Sequence, residues 1–377
     1  MIRGSFIKQR RSQLLLAGSL FVVFLLALQY SHRPTLLVNA HILTMNAEQP
    51  LADALLVKGQ YIHAIGRQQD LQQSFPFGNR IMDLQGASIV PGFVDAHSHF
   101  PSSGLARAFL NLTPPPVGDV SSLDTLLRRV AEYASSRQRG EWVVGFNYDD
   151  ASLAVKRHPT RQELDRVSPH HPVYLWHRSG HMGVANSLAL AELGHVDNNG
   201  LALPFGESPF MVGRDEQGSL TGLLQEGAAA RLGKLLMKLP LRELFGALLA
   251  ARDEYLQAGV TTVQNGFADI LSMRLLYWCQ RLGVIPQRLV VWPAYEKVAG
   301  RMNIEAIEKY RGPDDRVLNK ALAWRSSADT FSLSALKLSV DGSPQGRTAW
   351  LTEPYLTSGG RSAGYRGFPA ISPKRFK

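Results

Sequence analysis

Hydrophobic and polar positions follow two regimes along this chain. Up to about residue 90 the apolar runs are short and cut by turns. Leu36-Leu37-Val38 and Ala54-Leu55-Leu56-Val57 predict short strands, Lys58-Gly59-Gln60 a turn, and Tyr61 to Gly66 the returning arm of a hairpin. Ile81 to Leu84 and Ala87 to Val90 add two strands about Gly86, before Pro91-Gly92 punctuates the chain. Residues 35–90 therefore predict a small β-domain. From Ser121 onward the period changes. Ser122 to Arg137 carries Leu123, Leu126, Leu127 and Val130 on one helical face, and Leu241 to Gln257 predicts a second long helix. Between and after them lie apolar strands: Trp142–Gly145, Val173–Trp176, Thr261–Val263, Arg288–Val291 and Leu336–Val340. This alternation predicts an α/β layer built on a parallel sheet.

Composition narrows the class. The chain has 377 residues, 45% of them apolar, which suits a globular core and excludes a disordered protein. Its single cysteine, Cys279, excludes an internal disulfide framework and any multi-cysteine zinc or iron–sulfur site; the apolar run around it predicts a core position. The net charge of +10 suggests nucleic acid until it is located. The first 33 and the last 17 residues carry five basic residues each and no acid, so the body is neutral. A neutral body with basic ends is not a phosphate-binding face, and no nucleic-acid partner is expected.

The basic start precedes an uncharged run from Leu14 to Leu28. That order marks residues 1–30 as a signal peptide or signal anchor. Extended to Tyr30, the run reaches the lower limit of a membrane span, roughly 17 residues. Ala27-Leu28-Gln29 is a poor cleavage site, because Gln is too large for its last position, so the segment is expected to be cleaved slowly or not at all. Gln13 spoils a twin-arginine reading of Arg10-Arg11. Residues 14–30 would then sit in the inner membrane, with the basic end in the cytoplasm and the body outside it.

Chemistry begins at Asp95-Ala96-His97-Ser98-His99. On a strand, alternate residues share a face, so His97 and His99 would project together and hold one metal ion. A His-x-His pair alone is weak. Its context strengthens it: Ile89 to Val94 is an apolar lead-in, which puts the pair at the carboxyl end of a strand, where α/β folds place their sites. Along Ala335 to Asp341, Lys337 would share the face of Ser339 and Asp341, while Leu336, Leu338 and Val340 pack on helices. On that pattern alone Lys337 reads as a strand-end lysine reaching solvent.

Several blocks resemble the amidohydrolase superfamily, in particular its YtcJ-like branch, which includes N-substituted formamide deformylases. They are Ile81 to Gly86 with Val90 to His99; Gly145 to Asp149; His177 to His181 with Asn186 to Leu190; Gly222 to Glu226; and Lys337 to Ser343 with Arg347-Thr348-Ala349. They occur in the family's order from about residue 35 to the last residues. The resemblance implies a (β/α)8 metallo-hydrolase barrel of TIM type flanked by a small β-domain, holding one or two divalent metals, zinc above all, and hydrolysing an amide- or formamide-type bond. It also reverses the reading of Lys337: the fourth barrel strand of many such enzymes carries a lysine, carboxylated to a carbamate that bridges two metals. Metal ligands would then be His97, His99 and Lys337. Residues 91–377 would be barrel, with an insert at about 110–225 that sets the substrate.

The remaining polar residues keep two readings each. His177 and His181 lie on the rim of the substrate pocket or form a hydrogen-bonded loop pair. Tyr148 and Asp149 face the pocket, or Asp149-Asp150 caps a turn. Glu226 is a pocket carboxylate or a residue of a helix's first turn. Asp341 is a site residue or part of a turn.

The family's later ligands have no counterpart here. No histidine follows His195 and no aspartate follows Asp341, so the family's later histidines and its general-base aspartate are missing. Without the insert only about 170 barrel residues remain, against roughly 250 for a complete barrel. The expectation is a chain that stops after the fourth barrel strand, inactive by itself, and completed, if at all, by a separately encoded C-terminal half. The reading from another class is a non-catalytic or regulatory derivative of an amidohydrolase.

Overall fold

The structure is a computed structural model that describes residues 34–75, 78, 80–195, 212–226, 240–301, 330–356 and 364–369. The expected signal or anchor segment, residues 1–30, lies outside the described residues. Among the described residues no helix is long and apolar enough to cross a membrane. The chain divides into two compact units, residues 1–92 and 93–377.

The first unit contains β1 (Thr35–Val38), β2 (His41–Leu43), β3 (Leu51–Ala52), β4 (Ala54–Lys58), β5 (Tyr61–Gly66), helix α1 (Gln68–Ser74), β6 (Arg80–Asp83) and β7 (Ser88–Ile89). The predicted hairpin forms, with Lys58 opposite Tyr61 in an antiparallel β4–β5 pair. β6 and β7 do not pair with each other. β6 runs parallel to β1 in one sheet, and β7 runs parallel to β2 in a second. Gln85 and Gly86, with φ of 52° and 81°, turn the chain from one sheet to the other. Leu36, Val38, Ala54, Leu56 and Leu71 form one buried cluster of this unit.

The second unit opens with β8 (Phe93–Val94) and β9 (Leu110–Asn111), then α2 (Leu123–Ser135), β10 (Val143–Tyr148), α3 (Arg161–Val167), β11 (Val173–His177), β12 (Met182–Ala185) and α4 (Ser187–Glu192). It continues with β13 (Val212–Arg214), β14 (Leu220–Gln225), α5 (Leu241–Gln257), β15 (Val260–Ala268), α6 (Ile270–Arg281), β16 (Arg288–Pro293) and β17 (Phe331–Ser332). α2 buries the face read from its sequence, Leu123, Leu126, Leu127 and Val130, and α5 has the predicted bounds.

Two sheets organise the unit. One has the order β8–β15–β16–β17, and every pair is parallel. Its neighbours follow sequence order, as right-handed crossover connections produce. The other has the order β13–β14–β12–β11–β10–β9. Here the expectation of a parallel layer is corrected. β9, β10 and β11 are parallel, but β12, β14 and β13 join antiparallel, because β11 returns as β12 through the short loop Arg178–His181, too short for a crossover. A second correction concerns residues 336–340. They form no strand; Lys337 makes one isolated parallel bridge, with Ala294, and Leu338 and Val340 are 43% and 41% exposed rather than packed on helices.

α3 fastens the loop that follows β10. Thr160 caps it: its Oγ1 accepts the Glu163 N–H at 3.3 Å, and Glu163 Oε2 accepts the Thr160 N–H at 2.8 Å. Arg157 adds a two-pronged contact to the same carboxylate at 2.7 and 3.0 Å. The Arg157 guanidinium, followed by the Thr160 bonds and against the effect of burial, lowers the Glu163 pKa to about 2. A carboxyl with a depressed pKa stabilises the fold above its unfolded value, near 4.5, and that contribution disappears as the pH falls toward 2. Arg157 is 46% exposed, so solvent screening reduces the effect. Glu163→Gln is expected to lose ~1–2 kcal/mol of stability at neutral pH. In urea denaturation the gap to wild type should shrink between about pH 4.5 and pH 2; a gap independent of pH counts against the ion pair.

Candidate metal and substrate site

β8 ends at Val94, and the chain leaves the strand before the histidines. The expected strand through His99 is therefore corrected: His97 and His99 sit in a tight turn, and only His99 touches a strand again, as an isolated bridge to Asn265. Side chains add to the backbone bonds that continue past the strand, Asp95 N–H to Thr262 O and Phe100 N–H to Gln264 O, both at 2.9 Å. Asp95 accepts the His97 N–H at 3.2 Å and also takes the Ser98 hydroxyl. Gln264, on β15, accepts the Ser98 N–H through Oε1 at 2.9 Å and the Ser98 hydroxyl through its backbone oxygen at 2.9 Å. The Gly266 N–H donates to Ser98 O at 2.8 Å, and Asn265 Nδ2 donates to Phe100 O at 2.8 Å. Gln264 and Asn265 are both buried. A Cβ on Gly266 would lie 2.9 Å from His97 Cε1, so the absence of a side chain there makes room for the ring.

The two imidazoles end 5.6 Å apart, centroid to centroid. Trp292, on β16, lies 5.6 Å from His97. Lys337 lies within electrostatic reach of His99. Its backbone bridges the carboxyl end of β16, with N–H to Pro293 O at 2.8 Å and its oxygen accepting the Tyr295 N–H at 2.9 Å. Burial holds the His99 pKa below the ordinary histidine value, helped by the positive charges of His97, Lys337 and His181 and opposed by Asp95. A histidine kept neutral is ready to act as a ligand. Two imidazoles past the end of a parallel strand, with an amine whose charge reaches one of them, suit a borderline divalent ion, so these residues fit the metal that the fold class implies.

His181 approaches from the other sheet. Its Nδ1 lies 3.0 Å from Glu226 Oε2, and Glu226 Oε1 accepts the Thr348 hydroxyl at 2.5 Å. Glu226 follows β14 with φ of 47°, and its N–H donates to His181 O at 2.7 Å. Glu226 thus partners His181; the residues that follow it, where a helix's first turn was the other expectation, lie outside the described residues. Gly342 leaves space for this group, since a Cβ there would lie 2.1 Å from Thr348 Oγ1 and 2.5 Å from Glu226 Oε1.

Tyr148, Asp149 and His177 gather elsewhere, at the carboxyl ends of β10 and β11, where Tyr148 pairs with His177. Tyr148 is fully buried; its hydroxyl lies 3.1 Å from His158 Nδ1, and burial pushes its pKa well up. His177 is 3% exposed, with Nε2 at 3.2 Å from Asp150 Oδ1 and 3.5 Å from Asp149 Oδ1. Asp149, Asp150 and His177 present ligand atoms within 4.8 Å of one another. Asp341 serves a loop: its Oδ2 accepts the Trp350 N–H at 2.9 Å, and its backbone bridges Pro369. Cys279 is buried in α6, as its apolar surroundings predict. Sequence reasoning missed Asp150 and His158, Trp292 beside His97, and Thr348 behind Glu226. Asp150 had a signal, its adjacency to Asp149, but only the β10–β11 register puts it against His177.

The profile of the amidohydrolase family matches residues 80–374, and the chain belongs to that family. N-substituted formamide deformylase of Arthrobacter pascens is 29% identical over 261 residues, 67% of this chain and 46% of that one. The putative amidohydrolase YtcJ of Bacillus subtilis is 27% identical over 324 residues, 83% of this chain and 55% of its own. The chain thus spans about half the length of the curated relatives it matches. A crystal structure of an uncharacterized metal-dependent hydrolase from Pyrococcus horikoshii shares the fold, with a TM-score of 0.61 at 21% identity, covering 91% of this chain and 61% of that one.

Gly342→Ala is expected to break the Thr348–Glu226 contact and cost ~1–3 kcal/mol. Gly246→Ala, on an exposed turn of α5 with nothing within 4 Å of the new Cβ, should be neutral or stabilising by ~0.5–1 kcal/mol. Chemical denaturation of the two variants checks the contrast; equal effects would remove Gly342 from the argument.

Proposed function

We propose that β8, β15, β16 and β17 are the first four strands of a (β/α)8 barrel, and that the protein hydrolyses the C–N bond of an amide- or formamide-type small molecule. The observation that carries this reading is the convergence of His97, His99 and Lys337 at the carboxyl ends of those parallel strands. His97 and His99 would hold zinc, and Lys337, as a carbamate, would bridge to a second ion. A divalent ion there supplies Lewis acidity and lowers the pKa of water. Gln264, Asn265 and Gly266 keep the two imidazoles fixed, which a catalytic geometry requires. Trp292 stands beside His97. His181, oriented by Glu226, faces the same centre and is placed to meet the polar end of a substrate. In the overall change, water's hydroxyl adds to the carbonyl carbon, the C–N bond breaks and the nitrogen leaves with a proton. The sheet of residues 110–225 supplies the wall that selects the acyl and amine parts.

In a protein restored to the family's full barrel, the double variant His97→Ala, His99→Ala should lose the metal held at this centre together with turnover of formamide and amide substrates. Lys337→Ala should lower occupancy, and short carboxylic acids that replace the carbamate should restore part of it. Metal analysis beside an amine-release assay measures both. Wild-type metal content and turnover in all these variants would overturn the assignment.

We also propose that residues 1–30 deliver the chain to the inner membrane, with residues 35–377 outside the cytoplasm. The support is the order of basic and apolar residues before Tyr30. Alkaline phosphatase fused after residue 60 should be active; an inactive fusion in a soluble cytoplasmic fraction would sink the idea.

A further inference from the structure

We propose that α6 presents a docking face for an anionic lipid surface, formed by Leu271, Leu275, Trp278 and Leu282 with Arg274 and Arg281 beside them. The helix carries two apolar rows where packing on a sheet needs one. Met273, Leu276 and Cys279 are buried in the cluster that holds Val263 of β15 and Val291 of β16. The second row recurs at i, i+4, i+7 and i+11, so at about 3.6 residues per turn its members stack along one side of the helix. It stands in water. Leu271, Leu275 and Trp278 are each 59% exposed, and Leu282, which caps the helix, is 74% exposed. Single exposed leucines are ordinary, but a contiguous row of four large apolar side chains marks a surface that meets something apolar.

Charge says what kind of surface that is. Arg274 and Arg281 are exposed and form a second row against the first, three or four residues from Leu271, Trp278 and each other's neighbours. From Ile270 to Tyr295 the chain has no Asp or Glu, and Arg288 in that stretch is exposed as well. A helix that faces only water interleaves both signs. A cationic row beside an apolar row suits a surface that is negative outside and apolar beneath, which is a bilayer containing anionic lipid. Trp278 sits between the two arginines, and an indole, with its apolar body and polar N–H, settles at the level of the headgroups. The helix has 12 residues, too few to span a bilayer, so the contact is with the interface.

A second copy of the chain fits this face less well. Apolar positions spaced four, three and four apart can form a coiled-coil seam. With two α6 helices antiparallel across a twofold axis, the arginine row of one would face that of the other, and no acid on the helix offsets the repulsion. A parallel pair would leave the arginines without an opposite charge.

The docking rests in part on the membrane delivery proposed above. With residues 1–30 in the inner membrane the body is held beside lipid, and tethering turns a weak contact into a populated one.

The test uses the full chain with vesicles of phosphatidylcholine, or of an equal mixture of phosphatidylcholine and phosphatidylglycerol, both containing lipid brominated in the acyl chain. Flotation reads the tether. Bromine quenching of Trp278, isolated as the difference between wild type and Trp278→Phe, reads the docking. That difference emission should fall by about half or more on the anionic vesicles, stay unchanged on the neutral ones, and recover as salt is raised. Arg274→Gln with Arg281→Gln should lower the ratio of docked to undocked chain roughly 25-fold, since each arginine at an anionic surface contributes about fivefold. Leu275→Glu with Leu282→Glu should abolish the quenching. These positions are exposed, so the substitutions leave the core alone, and the salt series needs no substitution at all. The proposal is overturned if Trp278 is quenched no more on anionic than on neutral vesicles, or if its quenching is indifferent to salt and to the arginine substitutions. It is also overturned if light scattering shows a dimer that Leu275→Glu with Leu282→Glu dissociates, which would give the face to a second copy. A chain that does not float with neutral vesicles counts against the tether, while quenching on the anionic vesicles still decides the docking.

Discussion

The clasp between Gln264 and Ser98 is the constraint on which the metal centre depends. β8 is two residues long and ends before the first histidine, and scattered backbone bonds to β15 continue past it. A buried amide and a buried backbone oxygen, both from one residue of β15, add to them at Ser98. Unpaired, those groups would carry a desolvation cost of a few kcal/mol, so the turn is held by the cost of releasing it as much as by the bonds themselves. Because Gln264 belongs to the strand that pairs with both β8 and β16, the same register places His97, His99, Trp292 and the backbone of Lys337 around one point.

The second sheet brings a different kind of order. β10 and β11 are parallel and end together, and their ends carry carboxylates and an imidazole that no water-exposed loop would hold so closely. β12 and β14 then return antiparallel and carry His181 and Glu226 toward the first sheet. Thr348 and Gly342, from the segment after Lys337, close this group from behind. Three stretches far apart in sequence thus meet at one hydrogen-bonded carboxylate. That carboxylate sits on a residue with positive φ, a conformation that costs energy and persists where its neighbours over-determine it.

Much of this was legible in the chain. The hairpin of the small domain, the apolar face of α2 and the bounds of α5 follow from periodicity and turn chemistry, because local preference and tertiary packing agree there. The histidine pair was legible from its position after an apolar lead-in. The geometry of that pair was not: alternation implies a strand, whereas Asp95 and Ser98 fold the chain back through side-chain bonds that compete with a ladder. Lys337 is the counterpart case. Its alternating neighbours imply a strand packed on helices, and the structure has one bridge with exposed Leu338 and Val340. The Asp150–His177 contact was beyond the reach of pattern reading, since it depends on which residues of two parallel strands stand opposite each other.

The placement of Trp292 gives the protein an optical property. Its ring stands 5.6 Å from His97, and its indole N–H donates to Ser334 Oγ at 3.0 Å, so the ring is held in one orientation. Indole emission responds to the electric field across the ring, and a charge arriving at His97 acts on it at close range. Of the six tryptophans, this is the one ring given a contact with a histidine of the pair, among the described residues. The centre therefore has a native fluorophore beside it, and its state of charge can be followed by light without a dye, a label or a substrate.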